Sequence, residues 1–265
     1  WNLQAARARD IGEKSSIQSV LATKTKNLAK IAKETNKTKT NEWHIIVLQE
    51  CPGKELEKGI FWKALFDEPV TGANTKASQA PFSKDWCYKQ CEVGDEAIGF
   101  LYNEKHVKLK GVPYEVESQD GHSFTRNPVA AVFVPSAEDE KEKKTWALLV
   151  LGVHLKSVSN NGDKSVTEKE TNLLKAAVEQ AAARNEDWLA LKKAKTPMAE
   201  MIIGDFNLSP TATNSSSSSN AGFHALLQGC DPPFQPALEP PQATNTLKML
   251  KVEDEQKHMP YDNAY

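Results

Sequence analysis

Met201-Ile202-Ile203-Gly204-Asp205-Phe206-Asn207 is the stretch whose reading decides the fold. A short β-branched run reads as a buried strand, and a glycine followed by polar residues reads as its end. That arrangement delivers a carboxylate and a carboxamide to the rim of a sheet. Taken alone, Asp and Asn after a strand are ordinary turn residues. The pattern recurs, however. Trp43 to Val47 runs into Leu48-Gln49-Glu50, Leu148 to Val153 runs into His154, and the chain opens with Trp1-Asn2-Leu3-Gln4. Each of these strand ends carries a group suited to a metal ion or a phosphate. Their convergence carries the reading, more than any single one.

Working outward, strands are expected from Trp43 onward, over Ala97 to Tyr102, and over 199–203. Val129 to Val134 and Thr145 to Val153 read as a hairpin, with an exposed Glu/Asp/Lys-rich connection over 136–144. One long helix is expected from Val166 to Lys193, rich in Ala, Glu, Lys and Leu. Residues 15–35 suit an amphipathic helix with Val20, Leu21, Leu28 and Ile31 as its apolar stripe. The lysines along it read as a solvated face. Phe61, Trp62 and Phe66 read as the core face of a further helix. Ser215 to Ser219 reads as a linker, and the prolines between 232 and 241 mark an irregular stretch. Tyr261 to Tyr265 looks like another strand start. Loose alternation of helices and strands favours a four-layer α/β sandwich: two mixed β-sheets face to face, helices outside. The expectation is one domain over residues 1–265, truncated at both ends, because the chain opens and closes within strand-like segments.

Composition narrows the classes. The chain has 265 residues, enough for one large domain with a sizeable core. With 33 basic and 35 acidic residues the net charge is −2, which argues against tight, salt-resistant wrapping of DNA. No segment approaches the about 18 apolar residues of a membrane span. Cys51, Cys87, Cys91 and Cys230 show no zinc-like spacing. They read as thiols in a reducing compartment, with one disulfide as the alternative. An intracellular protein is favoured and secretion stays open, since the chain does not start at a natural N-terminus.

Hydrolysis of a phosphodiester needs a divalent cation, a group that orients or deprotonates water, and donors to the phosphoryl oxygens. Carboxylate and carboxamide oxygens suit Mg²⁺, which keeps several waters of its own. Asn2, Glu50, Asp205 and Asn207 are of that type, and His154 can move a proton. In isolation, Glu50 reads as a surface carboxylate and His154 as a satisfied core histidine. The ordered set is what changes the reading.

Trp-Asn-Leu-Gln, Leu-Gln-Glu, Val-His-Leu and Gly-Asp-Phe-Asn, in this order, resemble the motifs of the endonuclease/exonuclease/phosphatase superfamily, in its deoxyribonuclease-I-like branch. Gly94-Asp95-Glu96 sits where that branch carries a Glu bonded to its His. Arg126-Asn127-Pro128 resembles its Arg-Glu-Pro segment, and Tyr261-Asp262-Asn263 its Tyr-Asp-Arg segment. The resemblance implies Mg²⁺ or Mn²⁺ held by Glu50 with help from Asn2. It implies that Asp205 orients or deprotonates water, and that Asn207 and Arg126 hold phosphoryl oxygens. His154, oriented by Glu96, would serve the leaving or bridging oxygen, and Asp262 would belong to the catalytic set. A carboxylate beside a histidine raises its pKa and fixes its tautomer.

The implied activity is that of a metal-dependent phosphodiesterase, a nuclease acting on DNA or RNA. The alternatives are an inactive member used as a binding module, or a lipid or inositol phosphodiesterase. Three positions differ from the family pattern. No Asp-His pair follows Asp262, which implies low activity for the chain as it stands. Pro52 and Gly94 replace the Arg and Tyr that enter the DNA minor groove. Gln4 stands where abasic-site endonucleases have an Asp. A nucleic-acid substrate is the implied partner, and no protein partner is.

Overall fold

In the computed structural model, the structure describes residues 44–52, 61–62, 65–66, 82, 84–117, 123–136, 145–157, 165–207 and the strand 262–264. The expected helix at 15–35, Asn2, the Ser215–Ser219 linker and the proline-rich stretch lie outside the described residues. Among the described residues, besides the helical residues 61–62 and 65–66, eight strands and two helices follow one another: β1 (Ile45–Pro52), β2 (Trp86–Val93), β3 (Glu96–Asn103), β4 (Val107–Glu115), β5 (Val129–Pro135), β6 (Ala147–His154), α1 (Ser165–Arg184), α2 (Glu186–Lys193), β7 (Met198–Asp205) and β8 (Asp262–Ala264).

One sheet has the order β1-β3-β2, the other β4-β5-β6-β7-β8. All pairings are antiparallel except β6 with β7, which are parallel. The parallel pair needs a crossover, and α1 and α2 supply it.

Side-chain alternation sorts the core into three interfaces. Val47, Ile98, Phe100 and Tyr102 of the smaller sheet meet Val129, Ala131, Phe133 and Val150 of the larger one. The opposite face of β5 and β6, through Ala130, Val132, Leu149, Leu151 and Val153, packs on Leu174, Ala177, Val178, Ala181 and Trp188 of the helices. The far face of the smaller sheet, with Leu48, Ala97 and Leu101, packs on Phe61 and Leu65, which are helical residues. This is the four-layer sandwich. Phe61 belongs to a core face as expected, whereas Trp62 is exposed. Gly152 faces the inter-sheet space, where a Cβ would stand 2.8 Å from Ile98 and 3.2 Å from Val47. A larger residue there would push the sheets apart.

The long helix expected over 166–193 is two helices. Asn185 breaks it with extended backbone angles (φ −91°, ψ 110°), and its side-chain oxygen accepts from the Trp188 amide at 2.8 Å. Asparagine competes well for backbone groups at an N-cap, and the turn carries Trp188 into the core. Two strands had no sequence signal. In β2 the run Trp-Cys-Tyr-Lys-Gln-Cys-Glu-Val mixes polar and apolar residues. In β4 the register with β5 shifts between Lys110 and Tyr114, where Gly111 has φ +68° and Pro113 interrupts the ladder. Such irregularity is tolerated at an edge, where β4 lies among the described strands. No helix among the described residues is long and apolar enough to cross a membrane.

Candidate active site

Two strands of each sheet end at the same rim. β6 and β7 run in parallel register with His154 opposite Asp205, so both side chains arrive at one edge. Gly204 makes this possible. Its φ is +153°, and a Cβ there would lie 1.9 Å from the Val153 carbonyl oxygen. Only a residue without a side chain lets β7 lie this close to β6.

Across the gap, β1 carries Glu50 and β3 begins at Glu96. Between Leu48 and Cys51 the β1 register slips by one residue against β3. Glu50 sits in this bulge with φ +55°, a left-handed conformation that costs a non-glycine residue about 1 kcal/mol or more. Bulges re-aim side chains. Here Glu50 Oε1 comes within 3.7 Å of His154 Nε2.

The centre is the buried Glu96 carboxylate. Its Oε2 accepts from His154 Nδ1 at 2.9 Å and pairs with Arg126 Nε at 3.2 Å. Glu96 thus assigns the Nδ1 hydrogen and turns Nε2 toward Glu50. It also anchors a guanidinium whose Nη1 is buried without a hydrogen-bond partner. Buried donors ordinarily find an acceptor. An Arg nitrogen left in this condition at a strand-end rim suits an incoming anion.

The turn after β7 is tied in the same way. The Asn207 amide donates to Asp205 Oδ1 at 2.9 Å, and Asn207 Nδ2 donates to the Leu155 carbonyl at 2.7 Å. The Leu155 amide donates to the Asp205 carbonyl at 2.9 Å. Nδ2 has a second hydrogen still available for a ligand.

Ion pairs, hydrogen bonds and strand register therefore connect Glu50, Glu96, Arg126, His154, Asp205 and Asn207 in one cluster. Asp262 is paired in register with Asp205 through the β7–β8 ladder, which brings its backbone to the same rim. Asn2 lies outside the described residues. Sequence reasoning missed Gln49. It is fully buried beside Glu50, and neither of its side-chain amide atoms has a partner. Strand alternation puts 47 and 49 on the same face, and Val47 lies between the sheets. That alternation was the available signal.

No protein-family model matches the chain, and no curated protein sequence matches it. Solved structures do resemble it. A truncated TDP2 from Caenorhabditis elegans superposes with a TM-score of 0.50 at 14% identity, over 100% of this chain and 81% of that one. The human Nocturnin catalytic domain with bound sulfate gives 0.45 at 12% identity, over 91% and 73%. An endonuclease/exonuclease/phosphatase family protein from Bacteroides thetaiotaomicron gives 0.46 at 11% identity, over 84% of this chain and 64% of that one. The likeness is one of fold: this chain has a deoxyribonuclease-I-like four-layer α/β sandwich.

Proposed function

We propose that the chain hydrolyses phosphodiester bonds, with a nucleic acid as substrate and Mg²⁺ or Mn²⁺ as cofactor. One observation carries the reading. A single buried carboxylate oxygen, Glu96 Oε2, holds both a histidine and an arginine whose outer nitrogen has no partner. A proton-transfer group and an anion-seeking group are thereby fixed relative to each other.

The donor set fits a hydrated hard cation. Among the described residues, no group of three or more His, Cys, Asp and Glu is placed to hold a metal ion. Mg²⁺ does not need one, because one or two carboxylates plus water and substrate phosphate satisfy it. Glu50 would hold it, with Asn2 as the second expected ligand. When bound, the cation would offset negative charge on the phosphoryl group.

The protein's own groups divide the remaining work. Asp205 orients an attacking water or takes its proton, from a carboxylate already held by the Asn207 amide. Arg126 Nη1 and Asn207 Nδ2 donate to the phosphoryl oxygens. His154 acts as the imidazolium, which Glu96 stabilises through Nδ1; its Nε2 gives the proton to the leaving oxygen and the ring is left neutral. Phe206, buried between Asp205 and Asn207, matches the nuclease-like form of the motif.

The test is hydrolysis of bis(p-nitrophenyl) phosphate and of DNA and RNA oligonucleotides, with Mg²⁺, Mn²⁺ or a chelator. His154→Ala and Asp205→Asn are each expected to lower kcat at least about 10²-fold with the fold retained. Near-unchanged turnover in either variant refutes the mechanism. Oligonucleotide binding without metal-dependent hydrolysis would favour a binding module instead.

A further inference from the structure

Arg126 and His154 lie on different segments, one before β5 and one at the end of β6. Both segments end on a residue outside the cluster described above. Glu170 lies in α1 and is 1% exposed. Its Oε1 accepts the Thr125 amide at 2.6 Å, and its Oε2 accepts the Lys156 amide at 2.6 Å. Thr125 adjoins Arg126, and Lys156 is two residues past His154. Thr167, one turn earlier in α1, donates from Oγ1 to the Lys156 carbonyl at 2.6 Å. The Lys156 residue is therefore held at both its N–H and its C=O by one helix turn.

We propose that Glu170 is a positioning residue whose two carboxylate oxygens clamp the Arg126 segment and the His154 segment to α1, setting the spacing between the anion-holding and proton-transferring groups. The proposal rests on the reading of those two groups as substrate-facing. A carboxylate is the side chain that fits. It offers acceptors on both oxygens, whereas glutamine would set an NH₂ against one of the two amides. Serine and threonine offer a single oxygen. Glu96 ties the two side chains together at their tips, and Glu170 ties their backbones. The pair of carboxylates thus fixes the two groups from opposite ends.

The experiment uses the whole chain with Glu170→Gln, with Glu170→Asp as a second variant that keeps the charge and shortens the reach. Thr171→Val is the control. Thr171 Oγ1 donates only within the helix, to the Thr167 carbonyl at 2.8 Å, so its loss weakens α1 without touching either segment. Amide exchange by NMR is expected to quicken at Thr125 and Lys156 together in both Glu170 variants, while Val150 in β6 stays protected. Turnover of bis(p-nitrophenyl) phosphate should fall about 10²-fold, the cost of a misplacement near 1 Å, and stay within about twofold of wild type in the control. Unchanged exchange at the two amides, or an equal loss of turnover in Thr171→Val, overturns the clamp. If the wild-type chain cleaves no phosphodiester, the proposed function fails, and exchange at Thr125 and Lys156 alone decides for or against the clamp.

Discussion

Replacing Gly204 with alanine tests how β7 delivers Asp205. Two costs follow from the geometry. The backbone sits at φ +153°, a region that side-chain-bearing residues rarely adopt, which costs about 1–3 kcal/mol. The new Cβ would stand 1.9 Å from the Val153 carbonyl oxygen, 2.9 Å from its carbon and 3.0 Å from its nitrogen. All three are backbone atoms, so no rotamer change relieves the clash. Relief requires β6 and β7 to separate, which adds about 1–3 kcal/mol of overpacking strain. The sum is about 2–6 kcal/mol, a large share of a typical stability of about 5–15 kcal/mol. At about 2 °C per kcal/mol for a chain of this length, Tm should fall by about 4–12 °C. Gly94→Ala is the matched control. Gly94 also has positive φ, +62°, but nothing lies within 4 Å of its Cβ position. It should lose only the conformational part, about 1–2 kcal/mol. Urea and thermal unfolding of both variants give the comparison. Equal losses would refute the reasoning, because they would mean that the approach of the two strands is not limited by the missing side chain.

Two further outcomes are expected. Glu96→Ala removes the acceptor of both His154 Nδ1 and Arg126 Nε, so it should cost about 3 kcal/mol in urea unfolding and at least about 10²-fold in kcat; wild-type values for both would contradict the central role of Glu96. Burial pushes the Cys51 thiol up to about 12 and the Cys87 thiol to about 11. The thiolate fraction of Cys51 at pH 8 is then about 10⁻⁴ and grows as pH rises. Iodoacetamide with peptide mapping should leave Cys51 unmodified until denaturant is added, and rapid labelling of Cys51 in the folded protein would count against its burial.

Of the strands legible in the sequence, β1 and β7 are only partly buried and were read from an apolar run ahead of a polar end, while three are buried on both faces. β3, β5 and β6 are almost continuous apolar runs, since each is covered by a sheet on one side and helical residues on the other. Among the described residues β2 and β4 lie at sheet edges, where polar residues are tolerated, so their patterns resemble loops. Glu50, His154 and Asp205 were legible because each is a polar residue terminating such an apolar run. Glu170 and Thr167 were not. Within Ser165–Arg184 they stand in Thr-Glu-Lys-Glu-Thr, which reads as a solvated helix face, yet Thr167, Glu170 and Thr171 are all buried. Glu170 and Thr167 bond the backbone segments carrying Arg126 and His154, and that proximity is set by the sheet rather than by local pattern. The break at Asn185 was hidden for a related reason. Helix propensity on both sides is high, and the burial of Trp188 decides the turn.

Among the described residues, the smaller sheet runs to Asn103 and the larger starts at Val107, with a short turn between them. The two sheets are therefore consecutive in the chain, while the cluster draws Glu50 and Glu96 from the first and Arg126, His154 and Asp205 from the second. During synthesis both carboxylates of the first sheet are translated before their histidine and arginine partners. The cluster is therefore complete only where the two sheets meet, and neither sheet holds it alone.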